Sequence, residues 1–260
     1  MRPVLALTAL PLILAACASP DGTRPATGEE AKMIRLAQDI QARGDAATAA
    51  GLYAQAAQQS TDPVGANIRL GEALMAAGDP EGAARPFRTA LNADPDNGAA
   101  LLGLGTAQLR ADQVQGAART LAVAAPKVRS GTAYNRLGTA LILSGDTAGA
   151  EAAFRNAAGL EPANLDTQSN IALAEAVAGR NAEAVATARA VTTSPRSELR
   201  HFRNLMLVLM MGGQDTAAAA VQVPDWPEAE KRAFLTEARK IRGIPTAAGK
   251  ARAIGLLAAG

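Results

Sequence analysis

Counted in steps of 34 from Glu30, leucine or isoleucine returns at the seventh position six times: Leu36, Leu70, Leu104, Leu137, Ile171 and Leu205, with one residue dropped near Pro126. In the same register the eighth position is Ala37, Gly71, Gly105, Gly138, Ala172 and Met206, and the twentieth is alanine each time: Ala49, Ala83, Ala117, Ala150, Ala184 and Ala218. A period of this length, with small residues at fixed places, predicts stacked helical hairpins. The physical reason is close approach. Two antiparallel helices pack tightly only where small side chains occupy the crossing, and larger ones fill the space around it.

Those larger residues are the seventh-position leucines, Ile40, Leu74, Leu141 and Leu209 at position eleven, and Tyr53, Phe87, Leu121 and Phe154 at position twenty-four. Their spacing of three and four is helical. Gly44, Gly78, Gly145, Gly179 and Gly213 fall at position fifteen, where a left-handed residue stops a helix; only Asp112 departs. Asp45, Asp79 and Asp146 follow as expected N-caps of the second helix, and Pro80 sits in its first turn. Pro63, Pro95, Pro126, Pro162 and Pro195 recur at the repeat ends, where each is expected to end a helix. No strand-like alternation competes outside the N-terminus. An aromatic content of 3% suits neighbour-to-neighbour packing without one large central core.

This pattern resembles the tetratricopeptide repeat over residues 30–222. The resemblance is most specific in repeat two (Leu70-Gly71, Ala83, Phe87, Ala90, Pro95) and repeat four (Tyr134, Leu137-Gly138, Ala150, Phe154, Ala157, Pro162). Repeats five and six depart from it: Ala188 and Gln222 stand where the aromatic belongs, and Met206 replaces the small eighth residue. The resemblance implies an all-α superhelix of about six hairpins. The competing reading is a chance run of alanine-rich amphipathic helices.

Upstream, Met1-Arg2 and the apolar run Val4–Leu14 have the layout of a signal peptide over residues 1–16, too short to span a bilayer as a mature helix. Leu14-Ala15-Ala16-Cys17 resembles the lipobox of bacterial lipoproteins, and Cys17 is the one cysteine of the chain. Ordinary cleavage after Ala16 or Ala18 is the alternative; a lone cysteine placed here favours lipidation of Cys17. Ala18, rather than aspartate, follows it, which by resemblance implies the periplasmic face of the outer membrane. Several acyl chains anchor firmly, at about 0.8 kcal/mol per buried methylene. Residues 17–29, rich in Pro, Gly, Ser and Thr, read as a tether that holds the first helix roughly 20 Å from the lipid.

Removal of residues 1–16 takes the formal charge from +2 to +1, and acids and bases are interspersed, so nucleic-acid binding has no footprint. One cysteine and one histidine, His201, form no disulfide framework, thiolate metal site or nucleophile–base pair. Gly103-Leu104-Gly105 lacks a preceding strand and a Gly-Lys-Ser/Thr continuation, so it is no nucleotide loop. No enzyme and no cofactor are expected.

In the family it resembles, positions two, five, nine, twelve and thirteen of each first helix line a concave groove. Here they give an apolar row of Ile34, Ile68, Met75, Leu102, Leu109, Ile142, Leu143, Leu173, Val177, Leu207, Met210 and Met211, with Gln38, Glu72, Asn135, Thr139 and Arg203 among them. The lysine, arginine and asparagine set of chaperone-binding relatives is missing. Such a row marks a site for a peptide or helix of a protein partner, unless the chain's own C-terminal helices cover it. Residues 223–260 are expected to form capping helices, one from Asp225-Trp226-Pro227-Glu228 to Arg242, stopped by Gly243 and Pro245, and a weaker one from Thr246. Trp226 is expected to pin the first of these onto repeat six, with a partner contact as the alternative.

The whole layout, with Val223-Pro224-Asp225 and Ala233-Phe234-Leu235, is similar to the TadD family of tight adherence (Flp) pilus assembly. That resemblance implies a scaffold or pilotin-like lipoprotein that assembles or localises the pilus secretin by protein contact; the alternative is a periplasmic adaptor for another outer-membrane or cell-wall system. The lipobox predicts that Cys17→Ser abolishes acyl labelling and outer-membrane partition while helicity persists. Undiminished acylation of the variant would refute it.

Overall fold

The computed structural model describes residues 28–223 and 225–259. Cys17, the signal-like segment and the tether up to Thr27 lie outside the described residues. Fourteen helices follow one another among the described residues: α1 (Gly28–Ala42), α2 (Ala46–Gln59), α3 (Pro63–Ala76), α4 (Pro80–Ala93), α5 (Gly98–Arg110), α6 (Val114–Val128), α7 (Gly131–Ser144), α8 (Thr147–Leu160), α9 (Leu165–Val177), α10 (Asn181–Thr192), α11 (Leu199–Met211), α12 (Asp215–Ala220), α13 (Glu228–Arg242) and α14 (Ala247–Ala259). Odd and even helices through α12 pair as hairpins. Each hairpin packs on the next, and first helices of neighbouring repeats touch on the inner side, as in α3–α5, α5–α7 and α9–α11.

One turn geometry is used six times. The amide after each stop donates to the carbonyl five residues back: Asp45 to Ile40, Asp79 to Leu74, Gln113 to Gln108, Asp146 to Leu141, Arg180 to Glu175 and Gln214 to Leu209, at 2.8–3.2 Å. The turn requires a positive φ, from +75° at Gly213 to +96° at Gly145, and Asp112 adopts +55° without being glycine. Asp45, Asp79 and Asp146 accept from the amides of Thr48, Gly82 and Gly149 at 3.0, 2.8 and 2.8 Å, which caps α2, α4 and α8. Gln113, Arg180 and Gln214 stand at the matching places without a side-chain cap.

The prolines behave less uniformly than the repeat ends predict. Pro63 opens α3 at its first turn, with Asp62 as the cap. Pro126 lies inside α6, which continues to Val128 and closes on Arg129 in the left-handed conformation. Proline is tolerated there because it stands in the last turn and its ring faces outward into solvent.

The eighth-position glycines answer to a side chain more than to a backbone. A Cβ at Gly71, Gly105 or Gly138 would stand 2.6 Å from Phe87, Leu121 or Phe154, the twenty-fourth residue of the same repeat. Position eight and position twenty-four therefore share one volume. Repeat six inverts the arrangement. α12 has only six residues, Gln222 falls beyond it, and Met206 fills the vacated volume at 0% exposure.

At that end the core changes character. Repeats one to four carry small separate clusters around Tyr53, Phe87 and Leu121, whereas one large cluster joins α7–α14. α11 is buried over seven consecutive residues, Leu205–Met211, because α13 packs on the side left open by the short α12. Asp215 binds Arg239 and Arg242 at 3.0 and 2.6 Å, and Arg242 also donates to the Met210 carbonyl. The Arg242 guanidinium leads in holding the Asp215 carboxyl below its ordinary range. α13 starts at Glu228 with no side-chain cap, since Asp225 turns left-handed instead of capping. Trp226 stacks edge-on against Phe234 with ring centres 5.5 Å apart, and Arg203 of α11 lies over both rings.

The shared volume gives a test. Gly138→Ala should cost on the order of 1 to 3 kcal/mol by overpacking. In a Phe154→Ala background the same change should become neutral or stabilising, because alanine favours helix over glycine by about 1 kcal/mol. Urea midpoints of the four proteins measure the coupling; equal effects of Gly138→Ala in both backgrounds would contradict it.

Candidate functional site: the concave groove

The concave face falls into two stretches. Over repeats two to four it is open, with a pocket of about 330 Å³ lined by Glu72, Met75 and Ala76 of α3, Ala99, Leu102, Gly103, Thr106 and Arg110 of α5, Phe87 behind them and Arg136 of α7. Ile34, Met75, Leu102 and Leu109 are half-buried, and Ile68 is buried at 9% exposure. Gln38 is exposed.

Over repeats four to six the face is closed by the chain itself. After Gly243 and Pro245 the backbone reverses, Thr246 caps α14 by accepting from the Gly249 amide at 3.1 Å, and α14 crosses α7, α9 and α11. Ala251, Ile254 and Gly255 face Thr139, Ile142, Leu143, Leu173 and Val177 across a remaining cavity of about 230 Å³. Arg252 reaches Asp112 with both carboxylate oxygens at 2.9 and 2.8 Å, tying α14 to the turn between α5 and α6. Ile142 and Val177 are thereby buried, and Leu143 and Leu173 half-buried.

Leu207 and Met210, placed in the groove by their register, are core residues instead, at 0% and 1% exposure. Met211 is buried as well. The cause is that α13 and, to a smaller extent, α14 pack on α11. Asn135 and Arg203, also in the row, serve the fold. Asn135 donates to Thr167 at 2.7 Å between α7 and α9, and Arg203 sits over the Trp226 and Phe234 rings.

His201 is not a free reactive imidazole. It is 2% exposed; its Nδ1 accepts from the Glu198 amide at 2.8 Å, so Nε2 carries the proton and donates to Asp166 at 3.1 Å. Burial works against ionisation of Asp166, but Arg200 and His201 together hold its carboxyl below the usual range. The arrangement closes the start of α11 onto α9. Buried Glu151 is likewise neutralised by Arg155 and Arg180. Among the described residues no group of histidine, cysteine and acidic side chains is placed to hold a metal, and no helix is long and apolar enough to cross a membrane.

Two groove residues escaped the apolar row. Arg110 occupies position thirteen of repeat three, a groove place by the same rule. Arg136 is at position six and enters the pocket only through the curvature between α5 and α7.

The closed stretch makes a prediction. Ile254→Asp should bury an unpaired carboxylate and detach α14. Hydrogen exchange is expected to quicken across residues 247–259 and over Ile142 and Leu173, with α1–α6 unchanged. Equal acceleration in every helix would instead make α14 an integral part of one cooperative core.

Family models described as tetratricopeptide repeat match residues 74–141 and 135–198. No curated protein matches the sequence. Among solved structures, a tetratricopeptide repeat protein from Parabacteroides merdae superposes with a TM-score of 0.67 at 15% identity, covering 88% of this chain and 98% of its own. MamA from Desulfovibrio magneticus gives 0.61 at 22% identity, covering 67% and 99%. Pseudomonas aeruginosa pilF gives 0.59 at 16% identity, covering 74% and 87%. At these identities the likeness is one of fold, and it agrees with the repeated turn, the shared volume of positions eight and twenty-four, and the concave face. The chain has the tetratricopeptide-repeat fold, and residues 74–198 match models of that repeat.

Proposed function

We propose that this protein is an outer-membrane-anchored lipoprotein that assists assembly or localisation of the tight adherence pilus secretin, by binding a partner segment in its concave groove. The observation that carries the binding role is the open stretch over repeats two to four, an apolar pocket at the surface beside a stretch of the same groove already filled by α14. The Leu14–Cys17 string, the tether and the layout shared with the TadD family support the address and the secretin partner. The fold likeness to Pseudomonas aeruginosa pilF is compatible with that setting.

Met75 and Leu102 are the anchors to remove, since both are half-buried and line the open pocket. Each contributes about 1.5 to 3 kcal/mol when covered. Met75→Glu with Leu102→Glu also adds two carboxylates to be desolvated, enough to erase much of the roughly 8 kcal/mol of a micromolar complex. The folded double variant, checked by circular dichroism, is expected to lose capture of the secretin in a pull-down and to leave the secretin misassembled in membranes. Secretin capture and assembly at wild-type levels would count against this reading.

A further inference from the structure

The open pocket brings two arginines, Arg110 and Arg136, to a lining that has one acid, Glu72 on its α3 wall. Arg136 is half-buried and donates through Nη1 to the Thr106 hydroxyl at 3.1 Å; Arg110 donates to the Met75 carbonyl at 3.4 Å. Both contacts are to neutral oxygens. Among the described residues neither guanidinium has a carboxylate within ion-pair distance, and the two repel: burial first, then the Arg110 charge, pushes Arg136 down from its ordinary value. The nearest acid in sequence, Asp112, is engaged by both oxygens with Arg252. The thirteen residues of α14 include Lys250 and Arg252 and no acid, so the helix that fills the adjoining stretch has the wrong charge to extend over this one. Like charges gathered beside apolar surface, one of them half-buried, are costly in the free protein and become favourable when a carboxylate is brought in, which the planar fork of arginine can grip at two points.

We infer that the open half of the groove receives a partner segment in which an aspartate or glutamate stands close to a large apolar residue, the carboxylate bridging Arg110 and Arg136 while the apolar side chain enters beside Met75 and Leu102. The inference rests on the groove-binding reading above and adds the chemistry of what is bound. It also separates this site from the lysine and asparagine pattern of chaperone-binding relatives. Here the charge comes from position thirteen of one repeat and position six of the next, both lining the pocket.

The test selects random twelve-residue peptides displayed on phage against the immobilised full chain, in parallel with Arg110→Gln/Arg136→Gln and Arg110→Glu/Arg136→Glu. Circular dichroism confirms that each form is folded, and Arg110→Lys/Arg136→Lys serves as a charge-preserving variant. Peptides enriched on the wild type are expected to carry Asp or Glu within four residues of Leu, Ile, Phe or Met. They should bind the Gln variant at least about tenfold more weakly, with partial retention by the Lys variant. On the Glu variant the selected charge should invert to Lys or Arg. Enrichment of neutral apolar peptides would overturn the acidic assignment and leave the groove-binding role standing, provided that Met75→Glu/Leu102→Glu abolishes their capture. Acidic peptides unaffected by the Gln variant would place the acid site elsewhere and overturn it. Enrichment of nothing on any form would overturn both this inference and the groove reading on which it rests.

Discussion

Everything in this chain depends on a helix that can be stopped and reversed within two residues. The left-handed stop, closed by an amide-to-carbonyl bond five residues back, is made six times with the same geometry. Because the turn fixes where the second helix starts, it also fixes which residues of the two helices meet. The glycine at position eight and the large residue at position twenty-four are the result in repeats two to four: a pair that shares one volume. A solenoid built so needs no central core. Each repeat supplies half of the packing for the next, which is why three small clusters suffice for its first two-thirds.

The C-terminal end obeys a different rule. Once α12 stops after six residues, the last first-helix has no complete partner, and an apolar surface on α11 must be covered by something else. α13 supplies that cover, with Phe234 and Ile241 buried on it and Arg242 taking a terminal carbonyl of α11. The chain then has one helix left, and it lies along the inner face. Closing the solenoid and closing half of its groove are thus successive steps of the same path. The binding surface is left where the path runs out, over repeats two to four.

Much of this was legible in the sequence. The register, the turn glycines, the aspartate caps and the two terminal helices follow from spacing and residue type, because each is a local constraint repeated often enough to be seen. What spacing does not carry is the environment of a face. Met210 has the same register as Met75, and Leu207, like Leu102, falls at a groove position, yet the first pair is buried and the second is half-buried beside an open pocket. Met206 looked like a defect in the pattern and is the residue that fills the gap. Arg110 obeys the groove rule, whereas Arg136, at position six, lies outside it and joins Arg110 only in the folded pocket. Pro126 shows the opposite limit: a strong helix-breaking signal, harmless in a final turn.

The bond between Arg252 and Asp112 joins residues 140 positions apart, the longest span of any hydrogen bond between described side chains. Elsewhere the solenoid is made from contacts between near neighbours, which form quickly and in any order. This one depends on α14 lying across the inner face. The division of the groove into occupied and free halves is therefore a long-range property: it is lost when α14 leaves, while the hairpins, held by their neighbours, remain. The turn at Asp112, alone among the six in lacking glycine, is left-handed against its own preference, and the cation that steadies its carboxylate comes from α14, outside the repeats.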